Sequence, residues 1–76
     1  MEKQILDILQ RINPGNDYVT STDYVEDELL DSFDIIELVS ELESTFSIRI
    51  DGVDILPENF SSLQAISNMV NKSKKI

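Results

Sequence analysis

Seventy-six residues, 41% of them hydrophobic, suit one small folded domain with a thin core and no deep cleft, because a chain this short buries only about 60% of its unfolded surface. Fifteen acidic residues against six basic ones give a net charge of −9, which disfavours nucleic acid, whose binding relies on Lys and Arg displacing counterions, and fits a basic protein partner. With no cysteine and no histidine the chain has no disulfide framework, no thiolate, no imidazole base and no His or Cys metal ligand, which excludes most hydrolytic chemistries and zinc sites.

Met1-Glu2-Lys3-Gln4 lacks the cationic flank and apolar run of a signal peptide, and no apolar segment approaches a membrane span, so a cytoplasmic monomer is expected. Ile5, Ile8, Leu9 and Ile12 recur at helical spacing, and Asn13-Pro14-Gly15-Asn16 stops the pattern, which predicts a first helix over about residues 2–12. From Asn16 to Leu30 the periodicity is lost. Thr20, Ser21, Thr22 and Asp23 favour local side-chain to backbone bonds there, and Tyr18, Val19, Tyr24 and Val25 are candidate anchors. A loop of this length in so small a domain is more often functional than idle.

The second helix is the clearest element. Ile35, Leu38, Val39, Leu42 and Phe46 form one apolar stripe, Asp31 or Ser32 supplies the N-cap, and Asp31, Asp34 and Glu37 lie near the positive end of the helix dipole. Ser47 to Leu56 reads as a connection with a turn at Asp51-Gly52, apolar residues Ile48, Ile50, Val53 and Ile55, and room for a two-stranded hairpin. Leu56 to Phe60 reads as a single helical turn with Pro57 in its first turn. Ser61 and Gln64 form a capping box that opens a last helix with the stripe Leu63, Ile66, Met69 and Val70, ending near Lys72 to Lys75. The expected fold is all-α: a single domain over 1–76, built as a small bundle of three main helices plus one short helical turn.

Residues 23 to 54 hold eleven carboxylates against one cation, Arg49, so negative charge is focused around Ser32. Taken alone, such charge reads as the solvated faces of a helix and loop, and a Ser at a helix start reads as a cap. However, Leu29-Leu30-Asp31-Ser32-Phe33-Asp34 and the helix after it resemble the acyl carrier protein family, in which an Asp-Ser-Leu-type motif opens the second helix. The likeness continues in register through Ile36-Glu37-Leu38, Leu42-Glu43, Phe46-Ser47-Ile48 and Pro57 to Leu63, and so spans nearly the whole chain.

The resemblance implies that Ser32 carries 4'-phosphopantetheine, taken from coenzyme A, through a phosphodiester, with an acyl or aminoacyl cargo held as a thioester on the terminal thiol of the arm. It also implies a phosphopantetheinyl transferase, a loading ligase and acyl-processing enzymes as partners, and no catalytic group in the chain itself. Asp31, Asp34, Glu37, Glu41 and Glu43 would orient basic patches on those partners. Phe33 and Ile36 are candidates for apolar partner contact, Ile36 being equally suited by spacing to the core stripe. A phosphate at a helix N-terminus meets unpaired N–H groups and a favourable dipole, in keeping with this role.

Three positions depart from the commonest family pattern. Phe33 stands where Leu is usual, and the string Glu26 to Phe33 is closer to D-alanyl carrier proteins and to free-standing carriers loaded by adenylate-forming ligases. Glu28 stands where those relatives often have Gly, and Ser47 replaces the Gly common after the Phe. A carrier that presents its load on a long arm has little need of a chain-encoded substrate pocket, so the cargo and the pathway (fatty acid, polyketide, peptide or D-alanylation) are not written in these residues. A reading from a different class is an unmodified acidic adaptor that binds a basic partner with Ser32 as a plain cap. A calcium-binding protein is disfavoured, because neither Asp17 to Glu28 nor Asp51 to Glu58 has EF-hand ligand spacing.

Overall fold

The computed structural model describes residues 1–76. Helix α1 spans Glu2–Ile12, α2 Ser32–Phe46 and α3 Leu63–Lys72. Two-residue strands β1 (Ile48–Arg49) and β2 (Lys74–Lys75) and two 3-10 turns, Gly52–Asp54 and Pro57–Phe60, complete the chain. The expected bundle of three helices with a short turn at Pro57 is what the chain forms. No helix is long and apolar enough to cross a membrane.

α1 buries the Ile5, Ile8 and Leu9 stripe and packs against both α2 and α3. From α2 come Leu38 and Leu42, with Ile35, Val39 and Phe46 partly covered, and from α3 come Ile66, Met69 and Val70. Phe60, on the second 3-10 turn, is fully buried beside them. Each such side chain stabilises the fold by roughly 1.5–3 kcal/mol through removal of apolar surface from water.

The segment between α1 and α2 has no repetitive structure, yet it is tied down at both ends. α1 stops where Asn13 leaves helical geometry and Gly15 takes φ +87. The Asn13 side chain donates to Leu29 O (2.8 Å), and the Tyr18 hydroxyl donates to Asn13 O (2.8 Å). Tyr18 and Tyr24 are both buried and meet edge to face with centroids 5.3 Å apart, an arrangement that adds about 0.5–1.5 kcal/mol to their burial. Of the four expected anchors the two tyrosines serve. Val19 is 75% exposed and Val25 only half-buried, because Asp17 and Asp23 each accept two backbone N–H groups ahead of them, and these tight turns swing the valines outward. Hydrogen bonds from Thr20 hold the Asp17 carboxyl below its usual 3.8.

Two further expectations need correction. The hairpin considered around Asp51-Gly52 does not form: that turn is 3-10, and β1 instead pairs antiparallel with β2, Ile48 opposite Lys75 and Arg49 opposite Lys74, with Ile76 N donating to Ser47 O (2.9 Å). The cap of α3 is Ser62, whose Oγ accepts from Ala65 N (3.0 Å). Ser61 Oγ donates instead to Glu58 O and Gln64 to Asn68, so no Ser61–Gln64 box exists.

Two non-glycine residues adopt left-handed backbone, Glu28 at φ 62 and Ser47, the C-cap of α2, at φ 53. They are the two positions noted in the sequence as standing in place of an expected Gly. A side chain in this region costs roughly 1–2 kcal/mol, partly offset by the smaller unfolded-state entropy of a non-glycine. Glu28→Gly and Ser47→Gly are each expected to stabilise the fold by about 0.5–1 kcal/mol in urea unfolding. An unchanged or lower stability for both would show that these conformations carry no strain.

Burial pushes the Tyr18 and Tyr24 hydroxyls above their usual 10.0, the Asp34 carboxylate adding to the effect at Tyr18. The fold therefore favours the protonated phenols, and the unfolded chain releases these protons first. Their contribution to stability is fully present below pH 10.0 and is lost as pH rises from there through the raised values. Urea midpoints measured across that range should show the fall, and Tyr18→Phe should make it shallower. A slope unchanged in both Tyr18→Phe and Tyr24→Phe would place its origin elsewhere.

Candidate functional site

Ser32 is the first residue of α2 and is exposed. The residue before it, Asp31, is the N-cap. Its Oδ1 accepts from Asp34 N (2.8 Å), while Asp34 Oδ2 accepts from Asp31 N (3.3 Å), a reciprocal box closed across the serine. Ile35 N donates to Asp31 O (3.0 Å), so the first helical turn is fixed by backbone and side chain together. Two donors are left over: the N–H groups of Ser32 and Phe33 have no acceptor within the chain. They lie at the positive end of a 15-residue helix, where unpaired N–H groups and the dipole favour an anionic group.

The Ser32 hydroxyl makes no hydrogen bond within the chain, and no histidine or cysteine exists to activate it. What the arrangement offers is an accessible hydroxyl on a rigid mount, beside free donors suited to a phosphate. These features fit a phosphodiester-linked group.

Beyond Ser32 the site-facing residues separate into two sets. Phe33 is 70% and Ile36 68% exposed, which removes Ile36 from the core stripe. With Glu37, also exposed, they sit three and four residues apart on one face of α2 that also bears Ser32. Two large apolar side chains left in water next to a serine are a feature of binding surfaces more than of solvated helix faces. The other set turns back on the protein. Glu41 pairs with Arg11 of α1 (3.2 Å), and Glu43 accepts from Ile50 N (2.9 Å), bracing the turn after β1. Both are half-buried.

Residues that the sequence pattern did not single out include Arg11, visible only as a cation opposite an acidic helix. Val53 and Ile55, read as apolar residues of the connection, and Leu56, at the start of the short turn, are exposed in the fold.

Comparison with known families places this geometry in context. The family model for the phosphopantetheine attachment site matches residues 3–70. The chain therefore belongs to the phosphopantetheine-binding family, the carrier domains of the acyl carrier protein type, whose members hold 4'-phosphopantetheine covalently. No curated protein matches the chain, and neither does any solved structure.

The division of the acids is measurable. Glu43→Ala should destabilise the fold by about 1–3 kcal/mol, since the half-buried Ile50 N–H loses its acceptor, whereas Glu37→Ala should stay within about 0.5 kcal/mol of wild type. Asp31→Ala should cost about 1 kcal/mol and Asp31→Asn much less, since Asn caps as well as Asp. Equal urea midpoints for Glu43→Ala and Glu37→Ala would refute the division.

Proposed function

We propose that the chain is a carrier protein in which the Ser32 hydroxyl is the attachment point for the arm, and that an acyl or aminoacyl group rides on that arm between partner enzymes. The observation that carries this reading is the exposed Ser32 at the first position of α2, flanked by the Asp31–Asp34 box and by the two unpaired N–H groups. Family membership supplies the cofactor. In the joining step Ser32 Oγ gives up its proton and forms a P–O bond to the phosphopantetheinyl phosphorus of coenzyme A, while the pyrophosphate P–O bond breaks and adenosine 3',5'-bisphosphate leaves. When bound, the group supplies a terminal thiol able to hold cargo as a thioester, chemistry otherwise closed to a chain without cysteine. The N–H groups of Ser32 and Phe33 suit the phosphodiester, and the reciprocal cap keeps its mount fixed.

Phe33, Ile36 and Glu37 form the face a partner would meet at the serine. Asp31 and Asp34 add charge there while holding their caps, and Glu41 and Glu43 contribute at longer range. Rim charges of this kind chiefly tune encounter rate and partner choice. The partners are a phosphopantetheinyl transferase, a loading enzyme and downstream acyl-processing enzymes. Phe33 in the Glu26 to Phe33 string favours loading by an adenylate-forming ligase, as in D-alanyl or other aminoacyl carriers, over the fatty-acid type.

Incubation with coenzyme A, magnesium and a broad-specificity phosphopantetheinyl transferase should raise the intact mass by one arm, and Ser32→Ala should gain none. A wild-type chain left unmodified would favour the acidic adaptor reading. On the modified protein, Phe33→Ala and Glu37→Lys should each lower the rate of loading by the cognate ligase by about tenfold or more while leaving the melting temperature close to wild type.

A further inference from the structure

Three of the six cations, Arg49, Lys74 and Lys75, line one shallow cavity of about 210 Å³ together with Ile76. The strand ladder builds it: Arg49 on β1 stands in register with Lys74 on β2, and Lys75 and Ile76 follow. All four side chains are exposed. Neither ion pair of the chain uses these cations, since one joins Arg11 to Glu41 and the other Lys72 to Asp54.

In a chain with fifteen carboxylates, three unpaired cations converging on one cavity run against the electrostatic preference. They repel one another; of the acids nearest in sequence, Glu43 accepts from Ile50 N–H and Asp54 pairs with Lys72, and the exposed Asp51 carboxylate forms no ion pair with them. The acid surplus around Ser32 lies at the far end of α2, about 20 Å off at 1.5 Å per residue. Attraction to the carbonyl ends of α2 and α3 explains some positive charge at this end, at about 0.3–1 kcal/mol per cation. Lys72, in the last turn of α3, already meets that need for its own helix. It does not explain why the other three share a cavity.

We propose that this corner binds the phosphoryl group of a soluble compound. An Arg fork takes two oxygens of a phosphate side by side, and two Lys ammonium groups add point charges, enough to match a dianion or a pyrophosphate. Ile76 gives the cavity one apolar edge for the organic part of the ligand. A net charge of −9 opposes approach to an anionic lipid surface, which favours the soluble source. The site is independent of the arm on Ser32.

The full chain, labelled with ¹⁵N, is titrated with sodium pyrophosphate at constant ionic strength, with sodium chloride as control. Saturable shifts are expected at Arg49, Lys74, Lys75 and Ile76, following a binding curve separate from any response of the Ser32 and Phe33 N–H groups. The Lys74→Gln/Lys75→Gln variant, checked by its melting curve to be folded, should bind about tenfold or more weakly, with Lys3→Gln unchanged. Shifts that do not saturate, or that spread equally to Lys3 and Arg11, would reduce the effect to charge screening and overturn the proposal. In a second arm the protein is sedimented with phosphatidylglycerol or phosphatidylcholine vesicles. Pelleting with the anionic vesicles alone would overturn the soluble reading in favour of a lipid headgroup.

Discussion

The position of the serine depends on how Tyr24 is held. Its N–H donates to Ser61 O (2.7 Å), which fastens the long segment to the start of α3, and its carbonyl accepts from both Leu29 N (2.8 Å) and Leu30 N (3.1 Å). Its hydroxyl donates to Tyr18 O, and its ring packs edge to face on the Tyr18 ring. One residue thus ties together the loop, the third helix and the two residues before Asp31. Fixing a residue of irregular backbone costs about 1–2 kcal/mol of entropy, and here the burial of two phenol rings and of Leu30 offsets that cost across the segment. The second helix therefore starts at a defined point in space, although nothing regular precedes it.

The acidic surplus has more than one task. Asp31 and Asp34 are spent on the helix start, Asp17 and Asp23 on tight turns, Glu43 on the turn after β1, and Glu41 and Asp54 on ion pairs with Arg11 and Lys72. The exposed pairs add little, since such pairs contribute about 0–1 kcal/mol. What remains unengaged includes Glu37, on the same face as Phe33 and Ile36. The acidic surplus resolves into a scaffold of satisfied carboxylates and a smaller set free to meet another molecule.

Features set by local chemistry were legible in the sequence. α1 could be placed from its Ile/Leu period and the Asn-Pro-Gly stop, α2 from its stripe and cap, and the turn at Pro57 from proline geometry. The error at α3 is one of adjacency: Ser61 and Ser62 are chemically alike, and tertiary context, with Ser61 O held by Tyr24 N–H, selects the second. The β1–β2 pairing was not legible, because two-residue strands about twenty-five positions apart carry no readable period. The same holds for Glu41 and Glu43, whose partners lie on another helix and on the backbone of Ile50. Ile36 was ambiguous because position i+4 from Ser32 can face either way until α1 and α3 are in place. Ser32 itself was marked by a motif, while the free N–H groups of Ser32 and Phe33 follow from their place in the first turn of α2.

The reciprocal Asp31–Asp34 cap also bears on transport. For a tether anchored at Ser32, the pivot is stiff, so orientational search belongs to the arm and not to a loop beneath it. The cargo then explores a volume limited by arm length and by the body of the protein behind it, which sets a local concentration at a docked partner's catalytic centre that does not depend on bulk cargo. A looser mount would widen that volume and dilute the delivery without altering a single contact at the docking face.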